Sequence, residues 1–338
     1  MATPSPLPPT VNLWVVLTES KRIINAHSRH LLALSLLFLL PISFSITVYP
    51  SISRLIINQS SPSHTTFSLL KSHNDIDPNT VLLLLIAYIV FVTVFNLLSI
   101  GSITYSVFQG FYGRPVKLIS AVKSSFTSFL PLLATLVSSN SIVFAILLIL
   151  ALAAFSLTRV IELIVPGLEV SYASTYFEAL SAVVILIFIA IVIKLYVNWI
   201  VAWVVVVVES SYGLTPLKRS GSLVKGMESV SLSMIVVFSI AQSSLVWISN
   251  VTASDSENGG KLWTNAVFVV QIAVTSALLT VLMMYNLAGT TVMYMYCKAV
   301  QGELAREIAE EFAREYVSLP FDDETCGNVN LNKFINQK

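Results

Sequence analysis

Charge is what this sequence has least of. Asp, Glu, Lys and Arg make up 11% of its 338 residues, against 55% hydrophobic ones. A soluble domain carries about 25% charged residues, so this chain cannot cover a water-facing surface. Its mean hydropathy of +0.81 also excludes disorder over most of its length. Cysteine is nearly absent. Cys297 and Cys326 supply neither a disulfide framework nor a metal cluster. The histidines, His27, His30, His64 and His73, fall at no HExxH or other ligand spacing. No Ser, Asp and His stand in a nucleophile-elbow context. The expectation is no catalytic residue, no metal, no cofactor and no enzyme. The formal net charge of +1 says nothing about partners, and no basic run is long enough to suggest nucleic acid, so none is expected. The N-terminal region lacks the charged, short-apolar, small-residue order of a cleavable signal, so the run from Leu31 is expected to act as an internal anchor.

What the sequence has in abundance is long apolar runs. A bilayer core of roughly 30 Å needs about 20 apolar residues in a helix. Runs near 31–50, 81–107, 127–157, 181–208, 229–250 and 265–297 meet that need. They predict an all-α, polytopic membrane protein of six transmembrane helices. The excess length implies tilt or interfacial extension. In the third run, Ser138, Ser139, Asn140 and Ser141 place a polar patch that would let Phe126–Val137 lie at the surface.

Lysine and arginine set the orientation. Fourteen lie in the N-terminal segment, the loops after spans two and four, and the tail, while Arg54, Lys71, Arg159 and Lys261 lie on the other side. Positive charge stays cytosolic, which predicts both termini in the cytosol. The sequons at Asn58 and Asn250 fall in loops assigned to the opposite side, as glycosylation there would require. Together these features point to the endomembrane system or the plasma membrane.

The expected organisation is a head over 1–30, a six-helix domain over 31–297 and a cytosolic tail over 298–338. Prolines at 4, 6, 8 and 9 mark the start of the head as disordered. Residues 12–29 fit either an interfacial helix anchored by Trp14 or a linker with scattered apolar residues. In the tail, Leu304, Ile308, Phe312 and Tyr316 recur at i+4, which predicts an amphipathic helix over 303–316 that could hold a cytosolic protein partner.

Two loops resemble each other. Tyr112-Gly113-Arg114-Pro115-Val116-Lys117 with Lys123 follows span two. Tyr212-Gly213-Leu214-Thr215-Pro216-Leu217-Lys218-Arg219 with Lys225 follows span four. They read as an internal repeat of a helix–elbow–helix unit. In the second, Thr215 is expected to cap, Pro216 to open the helix and Gly226 to stop it. Lys218, Ser222 and Lys225 share one face of that amphipathic elbow. Arg114, Lys117, Lys123, Lys218, Arg219 and Lys225 are therefore the candidates for binding anionic inner-leaflet lipid. Glu209 could pair with Lys218 or Arg219, or stay solvated.

Glu209-Ser210-Ser211-Tyr212-Gly213, Pro216-Leu217-Lys218-Arg219-Ser220 and Leu223-Val224-Lys225-Gly226 resemble a pattern in a broad family. It is the membrane domain accompanying some bacterial glycerophosphodiester phosphodiesterases. A plant branch of polytopic proteins is more similar still, through Glu19-Ser20, Leu40-Pro41-Ile42-Ser43-Phe44, Cys297-Lys298 and Glu315-Tyr316-Val317-Ser318-Leu319. The resemblance implies six helices with cytosolic elbows. It implies no hydrolysis, since that chemistry belongs to a separate soluble domain.

Within the runs, Lys194 stands out, since an ionisable group at membrane depth is costly and often functional. Uncharged residues that could face it are Asn198, Asn96, Gln242, Gln271 and Asn286. The alternative is a lysine that snorkels to the interface. Cys297, at the mouth of span six, is a palmitoylation candidate or a plain interfacial thiol. The leading expectation is a non-enzymatic protein that organises lipid or binds a partner. The rival is a carrier of a small or lipid-like solute, whose mark would be a polar cavity containing Lys194.

Overall fold

The computed structural model describes residues 11–59, 78–164, 175–255 and 266–317, and among these all regular structure is helical. Six stretches are long and apolar enough to cross a membrane: Ser28–Pro50, Val81–Phe111, Leu118–Val160, Glu178–Glu209, Glu228–Val251 and Ala266–Val300. All six predicted runs fall within or almost within them. The chain divides into two compact units, Pro9–Tyr294 and Met295–Lys338, the latter taken with Met1–Pro8.

The larger unit opens with α1 (Leu13–Ala26), which buries Val16, Ile23 and Ile24 and packs along α4 and α9. It is thus part of the bundle, and Trp14 is 77% exposed. Then α2 (Ser28–Leu34) continues through one π-helical stretch (Ser35–Leu39) into α3 (Leu40–Gln59). The long helices are α4 (Pro78–Phe111), α5 (Leu118–Ile164) and α6 (Thr175–Trp199). After α6 come α7 (Ala202–Glu209), α8 (Leu214–Leu223), α9 (Glu228–Asp255) and α10 (Ala266–Val300).

Helix α5 corrects one expectation. Its 47 residues run unbroken through Ser138–Ser141, a length of ~70 Å at 1.5 Å per residue. The serines do not interrupt it because they bond back to their own helix, Ser138 Oγ to Ala134 O and Ser141 Oγ to Val137 O, both at 2.8 Å. A hydroxyl satisfied at i−4 leaves the backbone ladder intact.

Close packing uses small residues, since apolar side chains facing lipid give no reason for helices to associate. Gly101 of α4 lies against the backbone of Ser125 in α5, and Ser125 Oγ donates to Leu98 O at 2.6 Å. Hydroxyl pairs Ser43–Thr280 and Thr47–Ser276 join α3 to α10. His30 and Ser106 join α2 to α4 at 3.1 Å. The outer surface is the reverse of a soluble protein's. Phe144, Leu147, Leu148, Ile149 and Leu152 of α5 are exposed, as are Val183, Ile185, Leu186 and Ile187 of α6. Contiguous apolar surface on this scale requires an apolar covering.

The smaller unit holds the last residues of α10 and α11 (Glu303–Val317). Gly302, with φ of +73°, turns the chain between them. Lys298 Nζ pairs with Glu307 Oε2 at 2.8 Å across that turn.

Candidate functional site

Two features stand out in the larger unit, a pair of basic elbows and a polar-lined cavity. The elbows share a turn. Gly113 and Gly213 both sit at positive φ, +68° and +73°, a conformation that costs L side chains strain. After that turn they diverge. Gly226, at φ +91°, ends the second elbow's helix before α9 begins, as its position suggested. The first elbow has Ser124 where the second has Gly226, so its helix runs straight on into α5.

Helix α8 begins two residues earlier than Thr215 capping would allow. Gly213 is the N-cap, and its N–H donates to Thr135 Oγ1 at 3.2 Å. Pro216 still falls in the first turn, where a missing N–H costs nothing. The apolar side of α8, with Leu217, Leu223 and Val224, is buried against its neighbours α5, α6 and α7. The elbow is thus docked on protein, and its apolar side is not free to enter lipid. Lys218, Ser222 and Lys225 are exposed together on the other side.

Arg114, Lys117 and Lys123 are exposed as well. Arg219 differs. It is half-buried, with Nε 3.5 Å from Glu209 Oε2, and Glu209 Oε1 also accepts a hydrogen bond from Tyr294 Oη at 2.8 Å. Arg219 therefore serves to hold the elbow and is not presented as the other five cations are. Ser210, at φ +52°, ends α7 directly after Glu209 and directs the chain into α8.

Between the elbow and the bundle lies a break that no glycine or proline announces. Ile200 and Val201 interrupt the fourth apolar stretch between α6 and α7. In a continuous helix the Asn198 carbonyl would accept from residue 202. Here it accepts from Ser220 Oγ of α8 at 2.6 Å. A buried elbow hydroxyl thus satisfies a carbonyl that the break frees.

Beside this break is a cavity of about 410 Å³. Asn96 and Thr104 of α4, Ser139 and Asn140 of α5, and Trp199 of α6 line one side. Trp203 of α7, Ser239 and Gln242 of α9, and Asn286 and Thr290 of α10 line the other. Asn96, Gln242 and Asn286 of the predicted polar set meet here. Asn198, Gln271 and Lys194 are absent from the lining. For Lys194 the rotation of α6 explains this, since its side chain is exposed on that helix's outer surface.

Lys194 forms no ion pair or side-chain hydrogen bond with the described residues. Lys194→Met should therefore leave thermal unfolding of the purified protein unchanged or slightly raised, because it removes the cost of a charge on an apolar helix. A loss above about 1 kcal/mol would mean the ammonium has a stabilising role.

Other predicted sites move. Asn58 lies inside α3 and Asn250 inside α9, so neither is in a loop. Both helices continue past their apolar runs. Cys297 is fully buried in α10, and its thiol is not presented for palmitoylation. Of the 303–316 set, Leu304 is half-buried and Ile308 exposed. The side chains of Phe312 and Tyr316, and the predicted head over 1–10, lie outside the described residues. No group of three or more His, Cys, Asp or Glu among the described residues could hold a metal.

Fold and cavity define an all-helical protein with six stretches suited to crossing a membrane and a polar pocket inside their bundle. The chain belongs to the family described as a domain of unknown function (DUF8558), which matches residues 10–324. No curated protein and no solved structure matches it.

Proposed function

We propose that this chain is a non-enzymatic, six-span membrane protein that gathers anionic lipid at the cytosolic leaflet through its two basic elbows. One observation carries the reading. At each elbow, exposed cations stand beside exposed apolar side chains, Arg114, Lys117 and Lys123 with Leu118 and Ile119, Lys218 and Lys225 with Tyr212 and Leu214. Ile119 is 81% exposed and Tyr212 is 70% exposed. Cations with aromatic and aliphatic neighbours are what the headgroup layer accommodates. The excess of lysine and arginine on the elbow side supports a cytosolic location for elbows and termini.

Docking of α8 on the bundle makes the elbow a rigid platform. Its lysines are held in place before lipid arrives, which lowers the ordering cost of binding. Each cation near an anionic surface contributes roughly 1 kcal/mol. The test is native mass spectrometry of lipid retained by detergent-purified protein. The parent should keep phosphatidylserine or phosphatidylinositol over phosphatidylcholine, and raised salt should erode the preference. Changing Arg114, Lys117, Lys123, Lys218 and Lys225 together to Gln should abolish it. A variant that retains as much anionic lipid as the parent would end this reading.

A further inference from the structure

We propose that the cavity between α4, α5, α6, α7, α9 and α10 binds an uncharged membrane lipid whose head group both donates and accepts hydrogen bonds. This rests on the membrane-spanning part of the reading above and is independent of its elbow chemistry. Four carboxamides carry it. Asn96, Asn140, Gln242 and Asn286 converge from four helices, and none makes a side-chain hydrogen bond with another described residue. Two of the hydroxyls beside them behave differently. Ser139 Oγ donates to Leu136 O at 2.9 Å and Thr290 Oγ1 to Asn286 O at 2.8 Å. Those hydroxyls are satisfied by their own helices. The amides, each with donors and an acceptor, are not, and in hydrocarbon an unmet polar group is costly.

Depth matters here. Asn96 and Gln242 lie 15 and 14 residues from the elbow-side ends of their helices at Phe111 and Glu228. At 1.5 Å per residue that is ~21–23 Å, beyond the middle of a ~30 Å core. Water is scarce at such a depth, so the partner must come with the ligand.

The mouth indicates where that ligand comes from. Asn96, Asn140, Tyr196 and Ser239 are the exposed lining residues, and they lie well inside the four membrane-length stretches that carry them. Ile193 and Ile240, exposed at 49% and 64%, continue the surface around them. The cavity therefore opens sideways through the apolar belt. A water-borne solute would have to cross hydrocarbon to reach it, whereas a lipid is already there.

Charge narrows the class. The lining contains no Asp, Glu, Lys, Arg or His, and Lys194 faces elsewhere. A charged head would be buried unpaired, which is strongly unfavourable. Trp199, Trp203 and Phe238 give the apolar part of the molecule a flat wall. A volume of about 410 Å³ falls in the range of small-molecule sites. It suits a head group and the first part of the chains, with the remainder leaving through the mouth.

The experiment uses the full-length protein in phosphatidylcholine nanodiscs, with Trp14, Trp247 and Trp263 changed to Phe. Trp199 and Trp203 then report the cavity. Brominated diacylglycerol, ceramide and sterol are the quenchers, compared with brominated phosphatidylcholine and phosphatidylserine. At least one neutral hydroxyl or amide lipid should quench saturably, at a mole fraction about tenfold below both controls. Gln242→Leu with Asn286→Leu should weaken that quenching by about tenfold or more, with thermal unfolding unchanged or raised. Ser239→Phe, which fills the cavity, should remove the saturable part. Quenching by the neutral lipids that matches the controls would overturn the proposal, as would saturable quenching unaffected by the Leu pair. If the variants do not fold, the quencher comparison on the parent alone decides. The elbow variant with five Gln should quench as the parent does, so failure of one reading is distinguishable from failure of the other.

Discussion

Gly101→Val should destabilise this protein by about 3 kcal/mol or more, read as a large fall in the unfolding midpoint of detergent-purified protein. A Cβ at Gly101 would lie 2.9 Å from Ser125 Cα and 3.4 Å from Ser125 O. Both are backbone atoms, so no side chain can rotate away. Helices α4 and α5 would have to separate, which would also break the Ser125 Oγ bond to Leu98 O. That crossing sits beside the cluster of Leu97, Ile100, Leu132 and Val206, and Leu97 and Ile100 are themselves cavity wall. Saturable lipid quenching should fall with stability. Two controls calibrate the effect. A Cβ at Gly289 would press on the flexible end of Met234, with Ser20 Oγ at an ordinary 3.8 Å, so Gly289→Ala should cost less, while Gly221 has open space and Gly221→Ala should be neutral or stabilising. A Gly101→Val protein that unfolds at the parent's midpoint would refute the close crossing.

Much of this architecture can be read from residues alone, because hydrocarbon thickness and backbone satisfaction leave few choices. The six apolar stretches, the Tyr-Gly turn of both elbows and the stop at Gly226 follow from composition and backbone preference. What could not be read depends on the rotation of one helix against another. Asn96, Gln242 and Asn286 meet at the cavity, while Gln271 and Lys194 do not. Composition cannot separate them, since that requires knowing which side of α6 and α10 turns inward. Cys297 and Arg219 illustrate the same limit, one buried and one tied to Glu209. Helix ends were hidden for another reason. Polar residues such as Asn58 and Asn250 continue a helix whose hydrogen bonding is already under way, because propagation is easier than nucleation.

The break at Ile200–Val201 is the feature least visible in the sequence, since both flanking runs are apolar and β-branched residues alone do not end a helix. It depends on the elbow. Ser220 is fully buried, and its Oγ reaches the Asn198 carbonyl at 2.6 Å. Ser220→Ala should therefore destabilise the protein by about 1–3 kcal/mol, the usual cost of leaving a buried carbonyl without its donor. The loss should be local as well as global. Trp199 and Trp203 lie on either side of the break and line the cavity, so a shift of α6 against α7 moves the aromatic wall. Hydrogen exchange should accelerate at residues 199–204 while the α4–α5 crossing keeps its protection. Ser220→Thr, which keeps the hydroxyl, should recover part of the stability and of the protection. If Ser220→Ala instead exchanged and unfolded as the parent does, the elbow would not be what holds the break, and α7 would keep its direction through packing of Val204, Val205 and Val206 alone.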